Sequence, residues 1–284
     1  MKSFLCSMTL LFLLSCTGVS AQSDKSPEVQ ALIEKTLKQM IFVKGGSFMM
    51  GDPGQPFVDA LGKDAWTQYF GSDRNVPVHK VTLDGYYLES YEVTYNNYDI
   101  YSKATNKPLV NNDIRQIKHM YSPQRPVGIS WNGARSYCQW LGRQTGLPFD
   151  LPTEAQWEYA ARNRGKTVVF ATNTGKIERG VNFPPAIHFP IEIGQFPPNP
   201  LGFYDLSGNA FEWVKDWYAK DYYSHSPEHN PQGPDTGTVK VLRGGGGVPD
   251  STTVAREKGG KDLNEDIIGF TVRCVINTDK PLPE

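Results

Sequence analysis

From about residue 165 to its C-terminus the sequence holds no long stretch of helical or strand periodicity. Gly, Pro, Asn and Asp interrupt it at short intervals, and it reads as loops and short strands. Such a chain must build its core without long regular elements. The means are present: 14 Tyr, 14 Phe and 6 Trp accompany 27 Gly and 21 Pro, the composition of a loop-rich fold pinned by aromatic side chains. Disordered chains are poor in aromatics, so disorder is not the expectation. The 284 residues suit one large domain or two small ones, and a hydrophobic fraction of 39% is ordinary for a chain with a sizeable core. No repeat or low-complexity run divides the chain, so one domain is expected. The formal net charge of -1 gives no electrostatic reason for a nucleic acid or an anionic membrane as partner.

The N-terminus reads as an export signal. Lys2 supplies positive charge, and Phe4 to Leu14 is apolar but too short to span a bilayer. Two cleavage readings stand. Val19-Ser20-Ala21 is a small-x-small site that releases a soluble protein beginning at Gln22. Leu13-Leu14-Ser15-Cys16 resembles a lipobox that leaves a lipid-anchored Cys16. Both readings place the mature protein in the periplasm of a bacterium, and the only membrane contact foreseen is that lipid anchor. Besides Cys16 the mature chain has two cysteines, Cys138 and Cys274, which an oxidising compartment permits to pair.

The expected organisation is a leader over 1–21 (1–15 if lipid-anchored), a linker and N-terminal helix over 22–40, a domain over 41–278 and a tail over 279–284. Ser26 followed by Pro27 is a helix start, and Val29, Leu32, Ile33, Leu37 and Met40 follow at helical spacing. Residues 41–50 read as strand, turn at Gly45-Gly46, strand. Residues 52–77 read as a long loop, and 78–91 as strand with a turn at Asp84-Gly85. Thr94 can cap a helix carrying Tyr95, Tyr98 and Tyr101. Ser130 can cap one with Trp131, Ala134, Cys138 and Leu141 on one face. Thr153-Glu154-Ala155-Gln156 is a capping box, after which Trp157, Ala160 and Ala161 face inward.

Six segments, in order, resemble the formylglycine-generating-enzyme (sulfatase-modifying-factor) superfamily. Phe42 to Gly51 is similar to its opening hairpin. Pro77 to Val81 with Glu92-Val93-Thr94 is similar to its second strand pair. Arg125-Pro126-Val127, Ser130-Trp131 and Tyr137-Cys138-Gln139-Trp140 resemble its first long helix and the approach to it. Leu151 to Arg162 resembles its first signature, Asp205 to Trp213 its second and Leu242-Arg243-Gly244-Gly245 its third. The match covers about residues 40 to 276. It implies a C-type-lectin-related α+β fold, loop-rich and with little regular secondary structure, together with export and calcium.

The resemblance also implies site residues. Calcium would sit on the Asp205 side chain, the Gly208 and Ala210 carbonyls and the Glu212 carboxylate, hard oxygens of the kind calcium takes in sets of six to eight. A second calcium would use Asn182 and the Phe183 carbonyl, although the acidic partner of that site is missing from the segment that follows. The family's disulfide joins the cysteine of the Tyr-Cys-x-Trp helix to one in the last core strand, which here means Cys138 and Cys274. The Gly-Phe that precedes that second cysteine in the family stands two residues further upstream, at Gly269-Phe270. Family oxidases hold copper through two cysteines after the third signature. Here that stretch is Gly244-Gly245-Gly246-Gly247-Val248-Pro249-Asp250-Ser251, without cysteine, so no copper is expected.

Other candidates read blandly. His225 and His229 are four apart, but Pro227 separates them and polar residues surround them, so they read as solvated loop. His79 reads as structural. The glycine run after Arg243 lacks the Lys-Ser/Thr of a phosphate loop and reads as a tight backbone passage. Arg256, Glu257 and Asp250 border the altered loop and read as surface charge. No acid, base or metal constellation assembles, so catalytic residues remain unassigned. The expected function is a non-catalytic periplasmic binding or accessory protein of the secretion-regulator or immunity type, with an unidentified periplasmic protein as partner. The alternative is a divergent periplasmic oxidase that matures a peptide-like or siderophore precursor.

Overall fold

A computed structural model describes residues 25–61, 75–185, 189–247, 250–260 and 262–283. The leader with both cleavage readings and Cys16, and also His188, Val248 and Pro249, lie outside the described residues.

The helix starts read from sequence are the ones that form. In α1 (Pro27–Lys38) the Ser26 hydroxyl accepts from the Val29 N–H and Pro27 occupies the first turn. Its apolar stripe of Val29, Leu32 and Ile33 is buried against α3 (Tyr95–Ala104) and α4 (Trp131–Thr145). Burying one such side chain is worth roughly 1.5–3 kcal/mol. Thr94 caps α3 through Asn97 N–H, and Ser130 caps α4 through Gly133 N–H. α4 ends at Gly146, whose φ of 74° is the left-handed C-terminal stop. The capping box of α5 (Glu154–Ala161) is reciprocal: Thr153 Oγ1 accepts from Gln156 N–H, and Gln156 Oε1 accepts from Thr153 N–H.

Strand pairing departs from the sequence reading. β1 (Met40–Val43) and β2 (Gly46–Met50) do not form a hairpin with each other, and neither do β3 (His79–Leu83) and β4 (Tyr86–Glu89). β1 pairs with β4 and β2 with β3, in one unbroken antiparallel register from Met40 opposite Glu89 to Met50 opposite His79. The chain therefore makes a single long ribbon that bends where turns were expected. At Gly45 a side chain would meet the Leu83 carbonyl at 2.3 Å, so the bend needs glycine there. The segment joining the two arms also holds a short helix, α2 (Gln55–Leu61), that the loop reading missed.

The ribbon's lower half continues into a four-stranded sheet in the order β1-β4-β10-β5, with β5 at Phe149–Asp150 and β10 at Val275–Ile276. A second four-stranded sheet runs β8-β7-β6-β9, with β6 (Phe211–Trp217) parallel to β9 (Phe270–Thr271) and antiparallel to β7 (Lys240–Arg243). β8 (Glu257–Gly259) closes its edge. The elements are short and mixed, an α+β fold whose core is aromatic: Tyr95, Tyr98, Tyr101, Tyr137 and Trp140 pack between α1, α3 and α4. Trp157, Tyr86 and Tyr159 lie in a second cluster around α5 and the ribbon. Cys138 on α4 is bonded to Cys274 at the foot of β10, with Cα atoms 5.6 Å apart. The disulfide suits an oxidising, extracytoplasmic location. No helix among the described residues is long and apolar enough to cross a membrane.

Candidate functional site

The turn from Asp205 to Phe211 feeds β6 and lies deep in the molecule. Asp205 (φ 58°) and Asn209 (φ 60°) both occupy the left-handed region, which Asp and Asn tolerate better than other non-glycine residues. Each side chain ties the turn to the segment before it. Asp205 Oδ2 accepts from Gly194 N–H at 2.8 Å, and Asn209 Oδ1 accepts from Ile191 N–H at 2.8 Å. Asn209 Nδ2 donates to Glu92 Oε2 at 2.6 Å. Glu92 sits just before the cap of α3; its other oxygen, Oε1, is buried with no hydrogen-bond partner among the described residues.

Glu212, at the start of β6, is in a different state. Its carboxylate accepts from Arg273 Nη2 at 2.6 Å, Arg273 Nε at 2.7 Å and Trp157 Nε1 at 2.9 Å. Arg273 spends its remaining donors on the carbonyls of Glu89, Ser90 and Tyr204. Both groups are fully buried, and each is the other's counter-ion.

One guanidinium thus faces three carboxylates. Burial raises the Glu92 carboxyl well above its ordinary range, and repulsion from Asp205 and Glu212 adds to the rise. Asp205 is pushed up to about 6, chiefly by burial, against the opposing pull of Gly194 N–H and Arg273. An orphaned, buried carboxylate oxygen beside two further carboxylates is an environment that a hard cation would relieve. Glu92 and Asp205 are the side chains that fit such an ion; Glu212 is committed to Arg273 and Trp157. No group of three or more His, Cys, Asp or Glu among the described residues converges as a ready metal cluster, so backbone carbonyls such as those of Gly208 and Ala210 would have to complete the shell.

The Asn182 and Phe183 pair is occupied otherwise. Asn182 Oδ1 accepts from Glu178 N–H, and its Nδ2 donates to Asn173, Thr174 and Lys176. The Phe183 carbonyl accepts from Gly180 N–H. The amide that would face an ion is closing its own loop.

Behind the Asp205 turn runs the glycine passage. Gly208 N–H donates to the Gly244 carbonyl at 3.0 Å. At Gly245 (φ 53°) a side chain would meet the backbone of Asp250 at 2.6 Å, so the passage is closed to any other residue. Both ends of this loop are anchored on α5. Arg243 donates to Glu154 (3.2 Å), to Glu158 (2.8 Å) and to the carbonyls of Thr253 and Val254. Arg256 donates to both oxygens of Glu154, at 2.8 and 2.9 Å, and lies over the Tyr223 ring. The surface-charge reading of Arg256 is therefore corrected: it is 1% exposed. Glu158 is completed by Arg162 and Gly51 N–H. Two guanidinia hold Glu158 charged and below its usual range despite burial. Glu154, Glu158 and Arg162 recur every four residues, so one face of α5 carries charge into the core. That spacing was visible in the sequence, whereas nothing local marked Glu92 or Arg273.

The histidines stay peripheral. His225 and His229 are exposed; His225 packs its ring on Tyr222 and His229 Nε2 pairs with Asp84 at 3.1 Å. His79 Nδ1 meets the Pro77 carbonyl at 3.1 Å, its ring against Tyr223.

Comparison with known proteins agrees with this architecture. The chain is 31% identical over 227 residues to a Chlamydia pneumoniae protein named serine/threonine-protein kinase pkn1, covering 74% of this chain and 33% of that protein. It spans about a third of the length of these chlamydial relatives. It is 26% identical to the formylglycine-generating enzyme of Streptomyces coelicolor, over 86% of this chain and 91% of that one. Among solved structures it is similar to PvdO from Pseudomonas aeruginosa, with a TM-score of 0.67, 25% identity and coverage of 84% of this chain and 93% of the other. Residues 25–278 match the model of the sulfatase-modifying factor enzyme 1-like domain, and the chain belongs to that family.

Proposed function

We propose that the protein is an exported, non-catalytic binding or accessory protein of this family, acting in the periplasm on another protein or a peptide-like ligand. The observation that carries the reading is the loop between Arg243 and Arg256. It keeps its anchors on Glu154 and Glu158 but contains neither cysteine nor histidine, so nothing there can hold Cu(I) or take up a substrate thiol. The two cysteines of the domain are bonded to each other in the core. What persists is the scaffold and the acidic turn at Asp205, which we read as a calcium site that braces the fold. Glu92 and Asp205 would hold the ion with carbonyls of the turn, and calcium would supply charge balance rather than chemistry. Export ends either at Gln22 or at a lipid-modified Cys16.

The test is a conversion assay with the purified protein, Cu(I) and a sulfatase-type cysteine peptide. No formylglycine should form, and Cu(I) should not bind stoichiometrically. Turnover would overturn the non-catalytic reading. N-terminal sequencing of exported protein should give Gln22 or a blocked Cys16, and an intact Met1 would exclude export by either route. Cross-linking in the periplasmic fraction should then recover a discrete partner.

A further inference from the structure

Away from the glycine passage, a cavity of about 230 Å³ opens between the start of α4 and the outer faces of β6 and β7. Trp131, Arg135, Lys215, Trp217, Asp235 and Lys240 border it. Their convergence follows from the elements. Arg135 lies one helical turn after Trp131 on α4, and Lys215 and Trp217 alternate onto one face of β6. Lys240 opens β7 directly opposite Trp217.

The rings of Trp131 and Trp217 are nearly parallel, 21° apart with centroids separated by 6.4 Å. Lys240 Nζ sits between them, 3.9 Å from one centroid and 3.6 Å from the other, and donates to the Lys215 carbonyl at 2.9 Å. Arg135 stacks over the Trp131 ring at 5.4 Å, and Lys215 Nζ donates to Gln232 Oε1 at 2.9 Å. Three cationic groups thus border one aromatic-walled cavity. Two core-side carboxylates lie nearby, one paired with a cavity cation and one turned to the backbone of α5. Asp150 pairs with Arg135 at 3.3 Å, and Asp216 Oδ2 accepts from Glu154 N–H in the core. Burial, with help from the neighbouring Glu154, pushes the Asp216 acid up to about 7. Asp235 stands exposed on the rim. Burial also lowers Lys240 to about 8, with Asp216 opposing the fall and the Arg135 and Lys215 charges adding to it.

We propose that this cavity binds a small organic carboxylate with a flat apolar body: Lys215 and Arg135 receive the carboxylate, and the body lies against Trp217 beside Lys240. The volume is below the roughly 300–1,000 Å³ of sites for drug-sized ligands, so the ligand is small. Guanidinium and ammonium donors select a charged carboxylate over its amide, and an indole face accepts a planar body without demanding a particular substituent.

The experiment is calorimetric titration of the exported form at low ionic strength with benzoate, phenylacetate and benzamide. Benzoate and phenylacetate should bind, and benzamide should bind at least about tenfold more weakly, the loss expected when a charge-assisted hydrogen bond is removed. Lys215→Gln with Arg135→Gln should lower benzoate affinity by about tenfold or more without changing the melting temperature, since both side chains are partly exposed. The single substitutions serve if the double variant does not fold. Trp217→Leu should weaken benzoate further. The proposal fails if neither carboxylate binds in the millimolar range, if benzamide binds equally well, or if the folded Lys215 and Arg135 variants bind benzoate like the parent.

Discussion

At the scale of single residues the acidic turn is governed by imbalance. Arg273 and Trp157 satisfy Glu212, and Glu92 is left with a buried oxygen that no group among the described residues hydrogen-bonds. Substitutions here should therefore have opposite signs. Arg273→Met strands the Glu212 charge, and urea titration should show a loss of about 3–5 kcal/mol, the usual cost of breaking a buried pair from one side. Glu92→Gln replaces a carboxyl whose charged form burial and two neighbouring carboxylates disfavour, and its amide oxygen can still accept from Asn209. In chelator-treated protein it should be neutral or stabilising. In the parent, calcium should raise the melting temperature, because an ion bound by the native state alone stabilises it by mass action. In Glu92→Gln and in Asp205→Asn that rise should shrink or vanish. An equal rise in all three would remove calcium from this turn, and a calcium-insensitive parent would leave it a hydrogen-bonded bend.

At the scale of elements, short helices carry more than their length suggests. α5 has eight residues, yet it opens with a complete capping box and presents Glu154 and Glu158 to three arginines. Thr153→Ala should cost about 1 kcal/mol, the value of a lost cap. Glu154→Ala should cost about 3–5 kcal/mol because Arg243 and Arg256 would face the core without it. Denaturant unfolding of both variants checks the ranking, and a smaller loss for Glu154→Ala would mean that the network relaxes outward. This contrast also shows what the sequence could reveal. Caps at Ser26, Thr94, Ser130 and Thr153 are local chemistry, written within four residues, and all four form. Strand partners are not local. The turn signals at Gly45 and Gly85 were read as hairpin tips, but they are bends that let two arms, paired from Met40 with Glu89 to Met50 with His79, stay in register. α2 was too short to show a period. Glu92 and Arg273 become a site only when the fold brings their segments together. Arg256 looked like surface charge because its partner is about a hundred residues away, on α5.

At the scale of the whole molecule, burial of ionisable groups sets how stability depends on pH. Asp216 is held at about 7, raised by burial and by Glu154. Its folded pKa is above its unfolded one, so the native state keeps a proton that the unfolded chain releases near pH 4. Stability should therefore fall as pH rises from about 4 to about 7, by up to about 1.4 kcal/mol per pH unit for one group. Glu158 has the opposite sign, because its lowered pKa adds stability above its unfolded value that is lost as pH falls through the folded one. Asp216→Asn, whose amide oxygen can still accept from Glu154 N–H, should make the upper limb shallower, with Asp205 and Glu89 still contributing to it, and leave the acid limb unchanged; chemical denaturation at several pH values reads this directly. The Cys138–Cys274 bond spans 136 residues. In the chain-entropy model such a closure is worth about 5 kcal/mol, so Cys138→Ala with Cys274→Ala should lower stability by up to that amount. An unchanged unfolding midpoint would show that the packed core alone holds the two segments. The order of assembly follows from the place of β10. It lies between β4 and β5 and so inside the first sheet, although it is the last strand in the sequence. Until residues 275–276 are made, β4 has only β1 beside it, β5 has no strand to pair with in this sheet, and Cys138 lacks its bonded partner. The sheet, and the disulfide beside it, therefore close only once the last strand of the domain has been made.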